Sequence, residues 1–123
     1  MAQIYPFQGF LYNKETTGDP NRLVSQPYDK TSPAMQDEYY ARSPYNVVRI
    51  TLNREKRDDP ATAYPDAGAT FRKWIDEKVI VRENGPALFP YYQEYTVDGE
   101  KRLQRGFIAL LDLEDSGSAI IPH

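Results

Sequence analysis

The segment PYDKTSPAMQDEYYARSPYNVVRITL, residues 27–52, decides how the chain is read. A proline-stiffened turn, a capped helix and an apolar run follow one another in it without slack. Ser32 has the side chain of an N-cap, and Pro33 suits the first helical position, where a missing N–H costs nothing. A helix is therefore predicted from Pro33 to Arg42, closed by Ser43-Pro44. The run NVVRITL, Asn46–Leu52, is rich in β-branched residues. It sets Val48, Ile50 and Leu52 on one face and Val47, Arg49 and Thr51 on the other, which predicts a central strand with two partly apolar faces.

Working outward, Ile4 to Tyr12 alternates loosely, and Pro6 and Gly9 point to an edge position or a bulge. ETTGDPNR reads as a polar loop. REKRDDPATAYPD reads as a long connection into a second helix over about Asp66 to Glu77, where Ala67, Phe71, Trp74, Ile75 and Lys78 recur at helical spacing. Trp74 is expected to anchor the core. Val79–Val81 and the turn Asn84-Gly85-Pro86 lead into a strand from Ala87 to Val97. Asp98-Gly99 then stands between two strand-like runs as a two-residue hairpin turn, with the return strand over Leu103–Leu113. AIIPH reads as the start of another strand. The expected fold class is α+β: two helices packed on a mixed, mainly antiparallel sheet containing a C-terminal β-hairpin, as a single domain over residues 1–123.

The 123 residues suffice for one domain with a real core. A hydrophobic fraction of 40% and a charged fraction of 27%, with signs mixed along the chain, exclude a disordered or membrane composition. No apolar run approaches the roughly 20 residues that span a bilayer, and MAQIYPFQGF is not a signal peptide. No membrane partner is expected, and the cytoplasm is the expected compartment. The absence of cysteine removes disulfides and thiolate sites, and a single histidine does not make a zinc site, so no metal is expected. A net charge of −3 leaves no electrostatic footprint for nucleic acid. Arg54, Lys56 and Arg57 are interleaved with Glu55 and followed by Asp58 and Asp59, as in a solvated loop. Lys101, Arg102 and Arg105 flank the hairpin, where a surface role is expected.

No complete catalytic constellation is present, so candidate residues are single ones. Asp29, beside Pro27 and Tyr28 in a rigid turn, could accept from a substrate hydroxyl, hold a metal ion, or cap the turn itself. Tyr28 shares that turn and is a candidate for ligand contact. Asn46 and Arg49 flank the start of the apolar run. Arg49 could meet a phosphate or carboxylate bidentately, or pair with a protein carboxylate. Arg105 lies on an otherwise apolar strand face, so it is either paired or facing a cleft. His123 is the only imidazole and could act as acid, base or ligand near neutral pH. The ten tyrosines read mainly as packing.

The motifs IYPFQGFLYN, LVSQPYDKTSP, YARSPYNVVRITL, FRKWIDEKVIVRENGPALFPYYQEYTVDG, RGFIALLDL and IIPH, in this order, resemble the N-terminal region of the prokaryotic family known as domain of unknown function 1015. The resemblance spans nearly the whole chain. In that family the pattern that stops here at Pro122-His123 continues with Glu-Arg-Thr, so a catalytic reading of His123 belongs to a longer protein. Further on, members carry an Asp-Gly-His-His-Arg element similar to the phosphate-contacting loop of the ParB and sulfiredoxin group, which includes an ADP-dependent free-serine kinase. The resemblance thus implies a nucleotide- or phosphate-handling enzyme, with ADP or ATP and Mg as cofactors in the longer protein. Asp98-Gly99-Glu100-Lys101-Arg102 only echoes that element and has no histidine. Ala119, Ile120 and Ile121 make an apolar end, which predicts that the chain is the N-terminal piece of a longer protein whose C-terminal region is its partner. Self-association through exposed strand edges is expected of the piece. Two readings remain: a scaffold region of a small-molecule kinase-like enzyme, inactive alone, or a non-catalytic structural or partner-binding module.

Overall fold

A computed structural model describes residues 3–54 and 59–113. Within them lie strands β1 (Ile4–Tyr5) and β2 (Phe10–Tyr12), helices α1 (Lys14–Thr17), α2 (Pro33–Arg42), α3 (Val48–Thr51) and α4 (Pro60–Asp76), and strands β3 (Ile80–Arg82), β4 (Phe89–Val97), β5 (Glu100–Ile108) and β6 (Leu110–Leu111). The class is α+β. Among the described residues three two-stranded ladders, β1–β6, β2–β3 and β4–β5, stand where one sheet was expected. The chain divides into two compact units, Met1–Phe10 with Arg82–His123, and Leu11–Val81.

The unit Leu11–Val81 is helical. Helix α2 spans the predicted residues: Ser32 Oγ accepts from the Met35 N–H at 3.3 Å, Pro33 opens the first turn, and Ser43 leaves it in extended conformation. The predicted strand over Asn46–Leu52 is instead helix α3. Asn46 is fully buried, and its Nδ2 donates to the carbonyls of Arg22 and Val24, both at 2.9 Å. Its Oδ1 accepts from the Val48 N–H at 3.0 Å, and its carbonyl accepts from the Arg49 N–H, which turns the chain into a helix at once. The Leu52 N–H closes the turn on the Val48 carbonyl at 2.9 Å. Strand preference spans only about 1 kcal/mol and helix preference of β-branched residues is only slightly poor, so three hydrogen bonds of one buried side chain outweigh it.

The second predicted helix starts six residues early, at Pro60. Asp59 Oδ1 caps it through the Ala61 N–H, and Ala63 is buried with its carbonyl taken by Asn53 Nδ2 at 2.7 Å. This local cap and the contact from Asn53 hold the turn that Pro65, inside the helix, weakens by removing one N–H. The far end closes in a Schellman arrangement. Lys78 takes φ +56°, its N–H bonds the Ile75 carbonyl at 3.1 Å, and the Val79 N–H bonds the Trp74 carbonyl at 2.8 Å. The accompanying apolar contact is present, because Trp74, Val79 and Ile80 form the buried core, lined by Tyr12, Tyr45, Ile50 and Ile75. Trp74 is therefore the anchor its spacing predicts. The stretch read as a polar loop carries α1, capped by Asn13, and a 3-10 turn at Pro20–Arg22, capped by Asp19.

In the other unit β1 pairs antiparallel with β6, Ile4 opposite Leu111 and Tyr5 opposite Leu110. Phe7 bridges Ala87, and its ring lies 5.0 Å from that of Phe89. Gly9 makes this possible: a Cβ there would stand 2.9 Å from the Phe89 ring. Strands β4 and β5 form the predicted hairpin, paired from Val97–Glu100 through Phe89–Ile108. Asp98 and Gly99, at φ +51° and +80°, make the left-handed two-residue turn whose twist suits paired strands. The return strand begins at Glu100 and breaks at Ala109, after which β6 pairs elsewhere. The terminal segment AIIPH, with His123, lies outside the described residues.

Candidate functional site

Within Leu11–Val81, helix α4 and the α2–α3 connection enclose an open cleft of about 670 Å³. Helix α4 contributes Asp66, Thr70, Lys73, Trp74 and Glu77, which recur every three or four residues and so share one face. Opposite them stand Tyr40, Pro44, Tyr45 and Arg49, with Asn53 at the end. Two cations and two anions therefore line the cleft, together with the rings of Tyr40, Tyr45 and Trp74. Trp74 sits 6.2 Å from Tyr45, edge to face, and 5.9 Å from Tyr12. The Tyr12 hydroxyl donates to the Tyr45 carbonyl at 2.8 Å, and burial pushes its pKa up to about 12. Lys73 Nζ is 3.8 Å from Glu77 Oε1, an exposed pair that solvent screens.

Arg49 faces this cleft from helix α3. Its Nε donates to the Ser43 carbonyl at 3.4 Å and its second terminal nitrogen to the Tyr40 carbonyl at 3.1 Å. The guanidinium carbon lies 4.2 Å from the centre of the Tyr40 ring, as does that of Arg54, so one phenol ring supports two cations. Two backbone carbonyls and a ring thus hold Arg49. Arg54 also pairs with Asp37 at 3.2 Å, and its backbone N–H donates to the Tyr40 hydroxyl at 3.0 Å.

The other sequence candidates among the described residues do not line this cleft. Asn46 has both side-chain N–H groups committed to the backbone, so its role is to start α3. Asp29 and Tyr28 belong to an exposed 3-10 turn, Tyr28–Lys30, that follows Pro27. Arg105 is exposed on β5 opposite Tyr92, in the other unit. Of the sequence-derived candidates among the described residues, Arg49 alone lines the cleft. Sequence reasoning passed over Lys73, Asp66 and Glu77, although their spacing along one helix face was a readable signal.

Among the described residues no group of three or more metal-ligating side chains stands together, and no helix is long and apolar enough to cross a membrane. The fold and cleft define a small α+β protein whose helical unit carries a polar, ligand-sized recess. The chain belongs to the family described as Protein of unknown function (DUF1015), which it matches over residues 4–123. No curated protein and no solved structure matches it.

Proposed function

We propose that this chain is the N-terminal scaffold region of a longer nucleotide- or phosphate-handling enzyme of the kinase-like type, contributing a binding wall and inactive alone. The observation that carries this reading is the cleft: its 670 Å³ is within the usual range for small-molecule sites, and Arg49 and Lys73 place cations on opposite walls of it. Tyr45 and Trp74 supply the aromatic floor such sites commonly have. Asp29 and His123 remain the candidates for chemistry, and ADP or ATP with Mg the candidate cofactors, in the longer protein and in the cytoplasm. The test is thermal shift of the chain, and of the longer protein, against ADP, ATP with Mg, phosphate and serine. Saturable stabilisation that Lys73→Ala weakens is the expected result, since ligand at a hundredfold its Kd adds about 2.7 kcal/mol to stability. No response to any of them overturns the reading.

A second reading, a partner-binding module, is favoured by one observation. The β4–β5 hairpin leaves Tyr92, Leu103, Phe107 and Ile108 all about half exposed.

A further inference from the structure

A two-residue turn dictates which backbone groups of a hairpin face outward. The residues flanking Asp98-Gly99, Val97 and Glu100, close the turn by hydrogen bonding to each other, and hydrogen-bonded and non-bonded pairs then alternate along the ladder. Counting back, Tyr95–Arg102, Gln93–Gln104 and Tyr91–Gly106 are bonded pairs. Thr96–Lys101, Glu94–Leu103, Tyr92–Arg105 and Pro90–Phe107 turn their N–H and C=O groups away from the partner strand. Pro90 falls in this second set, at a position where a missing N–H costs the hairpin nothing. Its effect is to interrupt the outer edge of β4. The outer edge of β5 carries no such block. Lys101, Leu103, Arg105 and Phe107 present their backbone groups there, and among the described residues no strand pairs with that edge. A lone two-stranded ribbon is marginal in water, and adding strands is what stabilises it.

We propose that the occupant of this edge is β5 of a second copy of the chain, paired antiparallel about a two-fold axis through Gln104, to give a four-stranded sheet. This goes beyond the cleft and rests only on the second reading of the hairpin. The charges select the copy and its register. With Gln104 opposite itself, Leu103 faces Arg105 of the second copy and Lys101 faces Phe107, so all four outward residues are paired and no like charges meet. Arg102 then faces Gly106 of the second copy, where the Tyr91 ring lies so close that a Cβ would stand 2.4 Å from it. That leaves a cation beside an aromatic ring. Sliding two residues one way sets Lys101 against Arg105, and two the other way sets Arg105 against itself, which is destabilising for directly opposed pairs. Four outward pairs exchange eight backbone hydrogen bonds in the selected register. An edge of this length is a small interface, so the affinity is weak, in the micromolar range or above.

The chain has no cysteine, which makes a register test clean. Facing residues of a non-bonded antiparallel pair have Cα atoms about 4.5 Å apart, within disulfide range, and Gln104 would face itself in such a pair. Gln104→Cys should therefore cross-link to a dimer under mild oxidation, whereas Leu103→Cys should not. Sedimentation of the unmodified chain up to about 1 mM should show a concentration-dependent dimer. Leu103→Pro, the β5 counterpart of Pro90, should raise its dissociation constant roughly five- to hundredfold by deleting two of the eight bonds while sparing the hairpin's own ladder. If that variant loses the hairpin, judged by cross-strand nuclear Overhauser effects, the two cysteine variants decide alone. A strict monomer at about 1 mM, a dimer indifferent to Leu103→Pro in a folded hairpin, or equal cross-linking at 103 and 104 each overturns the proposal. So does capture of the edge by an added extended peptide in a chain that stays monomeric.

Discussion

Replacing Asn46 tests how the helical unit is held together. Its side chain makes three hydrogen bonds, to the carbonyls of Arg22 and Val24 and from the N–H of Val48, and no part of it reaches solvent. Asn46→Ala removes all three. The Val48 N–H, which belongs to a residue only 1% exposed, is left unpaired. At about 1 kcal/mol for each lost bond, the cost is about 3 kcal/mol. For 123 residues at about 2.1 cal/mol/K each, that corresponds to a fall in Tm of about 12 °C. Asn46→Asp keeps the acceptor for Val48 but turns a carboxylate toward two carbonyl oxygens, so it should cost at least as much. Trp74, the only tryptophan, is buried in the same unit, so its fluorescence during urea unfolding reports the loss directly. A loss below about 1 kcal/mol for Asn46→Ala, at unchanged m-value, would refute the account of α3 as a helix imposed by its anchor.

Two further outcomes follow from single positions. Lys78 holds a left-handed conformation that costs an L-residue about 1–2 kcal/mol, so Lys78→Gly should raise stability by about 1 kcal/mol after the extra unfolded-state entropy of glycine is offset, as urea denaturation would show. Tyr12 has its pKa raised by burial to about 12 from 10.0, so the folded state keeps a proton that the unfolded state releases. Its contribution is fully present below pH 10 and is lost as pH rises toward 12. Tyr12→Phe should flatten that alkaline decline in a pH series of unfolding midpoints, and an unchanged slope would contradict it.

Local chemistry made several elements legible. Helix α2 could be read to the residue because its start and stop signals act within one turn: Ser32 Oγ on a backbone N–H, Pro33 at the first position, Ser43-Pro44 at the end. The Asp98-Gly99 turn was equally plain, since two consecutive positive φ values demand residues that tolerate them. Trp74 as core anchor followed from helical spacing. The helix α3 was not legible, because Val47–Thr51 reads as a strand unless the carbonyls of Arg22 and Val24 are known to wait for Asn46. The early start of α4 was hidden by Pro65, which argues for a boundary that the Asp59 cap and Asn53 on the Ala63 carbonyl together overrule.

The candidate site divides along the same line. Arg49 stood out in the sequence as a cation in an apolar run, yet what holds it, the carbonyls of Tyr40 and Ser43 and the Tyr40 ring, comes from a neighbouring segment. The wall it faces, from Asp66 to Glu77, exists because α3 is a helix packed against α4. By itself the sequence determined the capped helix, the hairpin turn, the core tryptophan and the family, all of which depend on residues within a few positions of one another or on ordered motifs. Tertiary structure decided the conformation of residues 46–52 and, with it, the existence of the cleft. The physical reason is that a weak intrinsic preference, spread over a few β-branched residues, yields to hydrogen bonds that a buried asparagine makes to carbonyls more than twenty residues away.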